Sequence, residues 1–325
     1  KKLPWTTYSA AEKAELEKLS QGYIRFLSEC KTERESVREI VRRAEAAGYE
    51  NLDTVIQSGR QLAPGAKVYA VYMKKALALF NVGTEPIENG MAILGAHIDT
   101  CRLDVKQNPL YEDSGLAYLD THYYGGIKKY QWVTVPLALH GVVVKKDGTV
   151  LDVTIGEDAS EPAFCVTDLL VHLSQEQLKK PAAKVIEGEK LDVLVGTLPL
   201  QGEEKEAAQK NVLHLLKEKY GMEEEDFLSA ELSFVPAGPA REMGLDRSMI
   251  LGYGQDDRVC SYTSLAAMLE TGRLKRTACC LLVDKEEIGS VGATGMQSHF
   301  FENMLAELMN TLGQYSELAV RRAHA

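Results

Sequence analysis

The sequence predicts an α/β protein built on one central sheet, with a second, β-rich domain inserted into the first. Residues 279–283 form an uninterrupted apolar run of strand length, as expected for a strand that is covered on both faces. Residues 91–94 start a similar run, and amphipathic segments of helical period lie between such runs. After residue 101 the sequence changes to short segments rich in β-branched residues, which indicates the inserted domain.

Length and composition narrow the class of protein. The 325 residues, 45% of them hydrophobic, can bury the cores of two domains. A formal charge of -10 without a basic stripe argues against nucleic-acid binding. No apolar run reaches membrane-spanning length and residues 1–4 do not resemble a secretory signal, so the sequence predicts no membrane partner and a cytoplasmic location. The six cysteines show neither zinc-finger spacing nor a disulfide framework.

Two capping boxes begin the chain. Ser9 is followed by Glu12, and Thr32 is followed by Glu35, each pair standing before residues of helical period. Gly48 is a suitable end for the second helix. We therefore expect two scaffold helices before the first strand.

Strands follow at residues 68–73 and 76–82, and a further strand starts at Gly90. This last strand runs into His97 and Asp99, so an apolar strand again ends in polar residues. In open α/β sheets ligands bind at the carboxyl ends of the strands. The sequence thus predicts half of a site here.

We expect residues 101–235 to form the inserted domain. Within it, residues 142–144 and 150–155 flank Asp147 and Gly148, which is a strong hairpin signal. Few side chains with catalytic potential cluster in this domain. A module for assembly, or for covering a cleft, is the favoured interpretation.

The first domain resumes at residues 236–325. Asp256 and Asp257 stand at the start of a predicted helix over residues 259–270, where backbone amides and the helix dipole favour carboxylates. Because aspartate is also common there for capping alone, capping is the alternative interpretation. The helix leads into the strand at residues 279–283, which is followed by acids and by a glycine-rich loop that is predicted to be flexible.

These polar strand and helix ends form one constellation. Adjacent glutamates repel each other unless a positive charge compensates them, and a bound dication is an economical source of that charge. Imidazole with carboxylates suits zinc or manganese, and in a paired-metal site a further glutamate can act as a base towards water. The candidate residues are His97, Asp99, Asp256, Asp257, Glu286 and Glu287.

Six segments of the chain resemble the aminopeptidase I, or aspartyl aminopeptidase, family of zinc metallopeptidases. They are residues 95–99, 102–104, 108–110, 124–126, 253–258 and 284–289. The resemblance runs over nearly the whole chain. It implies a zinc-peptidase three-layer catalytic domain with a central mixed sheet, from residues 1–100 and 236–325, and an inserted β-rich dimerisation domain, from residues 101–235. It also implies dimers that assemble into a hollow dodecamer.

The resemblance further implies a role for each site residue. His97 would bind one zinc ion, Asp256 would bridge both ions, and Glu287 would bind a zinc ion. Glu286 would be the general base and acid. Asp99 would hold the His97 imidazole in the required tautomer.

Two more residues gain an interpretation from the family. Asp257 would follow the bridging carboxylate without binding metal. His172 resembles a histidine that reaches the active site of a neighbouring subunit and stabilises the reacting carbonyl. From the residues alone, His172 is equally well a structural histidine on an apolar stretch.

The carboxyl-terminal part departs from the family pattern. Family members continue beyond the helix that ends near Leu312 and supply another metal-binding carboxylate and a histidine. His324 has no nearby carboxylate and is predicted to be a tail residue. Either the natural protein has a further segment, which is the favoured explanation, or the second metal has lost ligands.

The predicted function is that of a metallo-aminopeptidase, which removes the amino-terminal residue of peptides with water activated by two divalent ions per subunit. An acidic amino-terminal residue is one candidate substrate. Zinc is the favoured metal, and cobalt and manganese are alternatives. The expected partners are peptide substrates and further copies of the chain. Two other functions stay open: a di-metal hydrolase of blocked peptides, and a non-catalytic assembly subunit with an incomplete metal site.

Overall fold

The computed structural model describes residues 3–323, so His324 lies outside the described residues. The chain forms two compact units, Lys1–Thr100 with Pro239–Ala325, and Cys101–Gly238. Within residues 3–323, no helix combines the length and the apolar character needed to cross a membrane.

The helices are numbered along the chain. They are α1 (Ala10–Glu29), α2 (Glu33–Ala46), α3 (Leu52–Gln57), α4 (Ala207–Tyr220), α5 (Gln255–Glu270), α6 (Phe300–Thr311) and α7 (Glu317–Ala323). All except α4 belong to the first unit.

The strands are numbered in the same way. They are β1 (Glu50–Asn51), β2 (Lys67–Tyr72), β3 (Ala76–Asn81), β4 (Ala92–His97), β5 (Arg102–Asp113), β6 (Leu116–Tyr124), β7 (Leu137–Val144), β8 (Val150–Ile155), β9 (Val193–Gly196), β10 (Ala230–Pro236), β11 (Arg241–Met243), β12 (Met249–Leu251) and β13 (Ala278–Val283).

Both predicted capping boxes are confirmed. The Ser9 hydroxyl accepts the backbone N–H of Glu12, whose carboxylate accepts the backbone N–H of Ser9 in return. Thr32 and Glu35 make the same pair of bonds at the start of α2. These bonds satisfy amides that have no partner inside the helix, and they fix where α1 and α2 begin.

The central sheet of the first unit is mixed. Its strand order is β1-β2-β3-β13-β4, and β13 runs antiparallel to β3 and parallel to β4. In the parallel pair, Val283 lies opposite His97. The carboxyl ends of β13 and β4 therefore lie side by side, and the residues that follow the two strands share one edge of the sheet.

Helices cover both faces of this sheet. Cys279, Leu281 and Val283 of β13 pack into a cluster with α3, α6 and α7. Cys280 and Leu282 point the other way, into a cluster with α1, α2 and α5. The three-layer α/β architecture implied by the family resemblance is therefore confirmed.

The second unit is an antiparallel sheet of six strands in the order β8-β7-β10-β5-β6-β9. The predicted hairpin is confirmed, because residues 139–144 of β7 pair with residues 150–155 of β8 and the turn contains Asp147 and Gly148. Gly148 adopts a positive φ of 84°, which glycine tolerates without strain. The unit is thus β-rich, with α4 as its one regular helix among the described residues.

Candidate metal centre

His97 lies at the centre of the candidate site. It is the last residue of β4, and the residue is only 8% exposed. Its Nδ1 atom lies 3.3 Å from a carboxylate oxygen of Asp99 and 3.0 Å from the Asp99 backbone oxygen. Its Nε2 atom faces the other way, 3.2 Å from Asp256 Oδ1 and 3.6 Å from Glu286 Oε2. Asp99 therefore fixes the ring while Nε2 meets two carboxylates.

The protonation of His97 reflects these neighbours. Burial alone lowers the pKa of His97, but the hydrogen bonds and charge of Asp99 and the charge of Glu286 outweigh it and raise the pKa to about 9. The surroundings thus favour a positive charge on or beside Nε2.

Asp256 lies where the chain enters α5. Asp256 and Asp257 have non-helical backbone angles, so the regular helix begins at Arg258. The Asp256 side chain is 89% exposed, and the Thr100 hydroxyl donates to the Asp256 backbone oxygen at 3.2 Å. Gly254 has φ 77°, and a Cβ atom there would lie 1.6 Å from an Arg258 guanidinium nitrogen. Only glycine fits this approach to the aspartates.

Arg258, which follows Asp256 and Asp257 in the chain, is fully buried. Its guanidinium donates to the Lys31 backbone oxygen at 2.7 Å and lies 5.5 Å from the Tyr253 ring centroid. Within residues 3–323 its Nε and Nη1 atoms have no hydrogen-bond partner. No role for Arg258 could be predicted from the sequence, since its burial is visible only in the folded structure.

Asp99 joins β4 to the segment that carries the two glutamates. Glu286 and Glu287 begin a single 3-10 turn directly after β13 and Lys285. The Glu286 backbone N–H donates to one Asp99 carboxylate oxygen at 3.3 Å, and that of Glu287 donates to the other at 3.2 Å. Asp99 is fully buried, so these bonds lie away from solvent. One carboxylate thus holds the His97 ring and both glutamate amides.

The donor set fits a divalent cation. Within residues 3–323, no group of three or more His, Cys, Asp or Glu residues is already arranged to hold a metal ion. The fit lies in the chemistry, because the His97 Nε2 atom and the carboxylates of Asp256 and Glu286 converge where positive charge is favoured. Imidazole nitrogen and carboxylate oxygen together are ligands of zinc and manganese.

Two candidate residues take no part in the contacts described above. Asp257 hydrogen-bonds the Cys260 thiol and so raises its pKa, rather than joining His97. His172 belongs to the second unit, where it is exposed in the turn at residues 171–173. The cluster therefore comprises His97, Asp99, Asp256 and Glu286, with the Glu287 backbone held beside them.

The sequence is similar to a family of zinc metalloproteases. The family model described as "Aminopeptidase I zinc metalloprotease (M18)" matches residues 26–324. A "Probable M18 family aminopeptidase 1" of Clostridium acetobutylicum is 56% identical over 320 residues, which are 98% of this chain and 69% of that protein.

Solved structures agree with the sequence matches. The crystal structure of an M18-family aminopeptidase from Thermotoga maritima is similar with a TM-score of 0.92 and 42% identity, and the match covers 99% of this chain and 69% of that one. Aminopeptidase I from Clostridium acetobutylicum is similar with a TM-score of 0.88 and 52% identity, over 99% of this chain and 70% of that one. The S. cerevisiae mApe1 dodecamer, at 18% identity and a TM-score of 0.70 over 91% of this chain and 67% of that one, shares the fold.

Proposed function

Because the chain belongs to the aminopeptidase I zinc metalloprotease family, M18, we propose that three of its side chains, His97, Asp256 and Glu287, hold divalent metal ions. Family membership makes the protein a metal-dependent aminopeptidase, a hydrolase of peptide bonds. We further propose two ions per chain, with zinc as the native metal and cobalt or manganese as substitutes. Imidazole and carboxylate ligands support this choice.

The roles of the residues follow from their contacts. Bound divalent ions would polarise the scissile carbonyl and lower the pKa of the attacking water. Glu286 accepts a proton from that water and passes it to the leaving amine, since its carboxylate lies beside the His97 Nε2 face. Asp99 keeps the His97 ring oriented and holds the Glu286 amide. The free amine of the substrate is held by acidic groups near the site, Glu286 among them.

One observation carries this proposal: Asp99 occupies the Nδ1 side of His97 while two carboxylates meet its Nε2 side. A buried hydrogen bond on one ring nitrogen leaves the other as the metal ligand and sets its direction. Three distant parts of the sequence supply these groups, so their meeting is a property of the fold.

Glu286→Gln tests the base directly. The substitution keeps the size of the side chain and removes its basicity, so we expect folding and metal content to stay near wild type while turnover falls by about 10²-fold or more. A panel of amino-acid anilides with zinc, cobalt and manganese measures turnover and substrate preference, and metal analysis gives the ion content.

Glu302→Gln is the matched control, because Glu302 is a half-exposed glutamate paired with His299 on α6. It should leave turnover unchanged. Full turnover in Glu286→Gln would reject Glu286 as the base. A full-length protein that neither binds metal nor turns over would instead favour the non-catalytic assembly subunit.

We also propose that the second unit mediates association between copies of the chain and that His172 acts at a neighbouring subunit's site. The support is a run of exposed apolar side chains beside it: Leu170, Val171 and Leu173 are 57%, 60% and 67% exposed. Exposed apolar patches are typical of protein interfaces. His172→Ala should lower kcat without changing the assembly size in sedimentation, and unchanged kcat would reject the role.

A further inference from the structure

The segment after β13 forms a closed loop, which we call the 284–298 loop. The Ser290 backbone N–H donates to the Lys285 oxygen at 2.7 Å, and the Gln297 N–H donates to the Ser290 oxygen at 3.3 Å. A Cβ atom at Gly295 would lie 2.2 Å from the Ser290 backbone oxygen, so only glycine allows this closure. The glycine-rich loop that the sequence predicted as flexible is thus bonded to itself.

Asp284 joins the start of this loop to residues 294 and 295. It is fully buried, and one carboxylate oxygen accepts the Lys285 backbone N–H at 2.8 Å. The other accepts the Thr294 hydroxyl at 2.5 Å, and the Asp284 backbone bridges to Gly295. The entry to the loop and its far side are therefore joined through one side chain.

Lys75 supplies the opposite charge from another part of the chain. Met73 and Lys74 adopt left-handed angles in the turn between β2 and β3, which leaves Lys74 exposed and turns Lys75 inward. Lys75 is 8% exposed, and its Nζ atom lies 3.7 Å from Asp284 Oδ2.

The negative charge of Asp284 explains why Lys75 can be buried beside it. Burial and the charge of Glu33 raise the pKa of Asp284 to about 6, whereas Lys75 and the Thr294 hydrogen bond act in the opposite sense. Lys75 thus favours the ionised carboxylate, which accepts hydrogen bonds more strongly than a neutral carboxyl group.

We propose that Lys75 and Asp284, with Thr294, anchor the 284–298 loop and so position the turn that carries Glu286 and Glu287. They act on the reaction through that turn, as positioning residues. This inference rests on the proposed function, in which Glu286 is the base.

Asp284 and Asp99 hold the turn through different backbone contacts. Asp99 accepts the amides of Glu286 and Glu287, while Asp284 fixes Lys285, the residue before them. Loss of the anchor leaves the glutamates present but lets the turn shift. A displacement of about 1 Å is enough to cost a large part of a reaction rate.

Lys75→Met and Asp284→Asn test the anchor in the full-length protein. We expect each to lower kcat by roughly 10- to 100-fold, the usual effect of removing a group that orients a metal-site residue, with KM within about threefold. Hydrogen exchange of the peptide covering residues 284–298 should become faster. Zinc affinity, measured by competition with a chelator, should fall less than kcat, because His97 and Asp256 lie on other elements.

Lys74→Met is the matched control, since it removes a lysine from the same turn without touching Asp284. It should leave kcat and hydrogen exchange unchanged. If the Lys75 or Asp284 variant does not fold, Thr294→Val carries the test, because it removes only the hydroxyl bond to Asp284. It should lower kcat by a smaller factor and speed exchange in the same peptide.

The double variant Lys75→Met/Asp284→Asn separates an anchor from two independent effects. If Lys75 acts through Asp284, the double variant loses no more kcat than the worse single variant. Additive losses, or wild-type kcat in both single variants, would overturn the inference. Glu286→Gln separates failure of the proposed function from failure of this inference. If Glu286→Gln stays active, the proposed function fails. If Glu286→Gln is inactive while Lys75→Met has wild-type kcat, only the positioning role of Lys75 fails.

Discussion

Asp99→Asn is the most informative single perturbation of the site. The native carboxylate accepts two backbone N–H groups, from Glu286 and Glu287, and pairs with the His97 ring. An asparagine has one acceptor oxygen, so at least one buried amide loses its partner and meets an N–H group instead. The perturbation therefore changes hydrogen bonding while keeping the shape of the side chain.

The size of the effect follows from these contacts. A hydrogen bond to a charged group contributes about 1.5 to 3 kcal/mol, and the distances of 3.2 and 3.3 Å place these two at the weaker end. Loss of one amide bond and of the charged contact to His97 should lower the free energy of unfolding by about 3 kcal/mol. Turnover should fall by roughly 10- to 100-fold, because the ring and the turn lose their common support.

Urea unfolding and anilide hydrolysis measure the two effects on the same preparation. Asp158→Asn is the control, because Asp158 also accepts a backbone N–H and a hydroxyl, from Ser160, but is exposed to solvent. It should change stability by less than about 1 kcal/mol and leave turnover unchanged. Wild-type stability and wild-type turnover in Asp99→Asn would refute the assignment of Asp99 as the common support.

Three further predictions concern the surrounding structure. Gly295→Ala should abolish most turnover, because the added carbon would lie 2.2 Å from the Ser290 backbone oxygen. Gly83→Ala is the control, because its added carbon would lie 2.4 Å from the Arg276 backbone. It should destabilise the protein in a thermal melt but retain turnover in the folded fraction. Burial raises the pKa of Asp284 in the folded protein to about 6, from an ordinary 3.8. Between these two pH values the folded protein binds a proton that the unfolded chain does not bind. The free energy of unfolding therefore falls as pH rises from 3.8 to 6, by up to about 3 kcal/mol. Asp284→Asn lacks this titration, so the unfolding free energy of the variant minus that of wild type should increase from pH 4 to pH 7; a constant difference would contradict the pKa. Thr32→Ala removes the α2 cap and should lower the free energy of unfolding by about 1 kcal/mol in urea, with turnover unchanged; no loss would show that the cap contributes nothing.

Local signals in the sequence predicted the elements well. The capping boxes at Ser9 and Thr32 each involve residues three apart, and the hairpin at Asp147 and Gly148 depends on a single turn. The apolar run at residues 279–283 correctly indicated a strand covered on both faces. Such features depend on near neighbours, so the sequence contains the information directly.

Contacts between distant residues were beyond the same reasoning. Asp99 and Glu286 are 187 residues apart, and Arg258 and Lys31 are 227 apart, so no spacing rule connects them. Lys75 lies between two predicted strands, and nothing in the sequence predicts its burial, because that burial depends on Asp284, which is distant in sequence. The family resemblance implied a mixed sheet, but the antiparallel pairing of β13 with β3 was not predicted, since an apolar strand gives no sign of its neighbour's direction.

The candidate site is likewise formed by side chains that are distant in the sequence. Polar ends of strands could be grouped from the sequence because parallel strands place their carboxyl ends at one edge. The contacts of Asp99 with both His97 and the glutamate turn exist only in the folded structure. A short functional motif was thus recognisable, whereas the residues that support it were not.

Anomalous diffraction at the zinc edge, from crystals of the full-length protein grown with zinc, tests the central claim most directly. We predict two peaks per chain, one of them about 2.0 to 2.1 Å from His97 Nε2, with an Asp256 carboxylate oxygen near both. Peaks bound elsewhere in the chain, with His97 Nε2 not coordinated, would contradict the account.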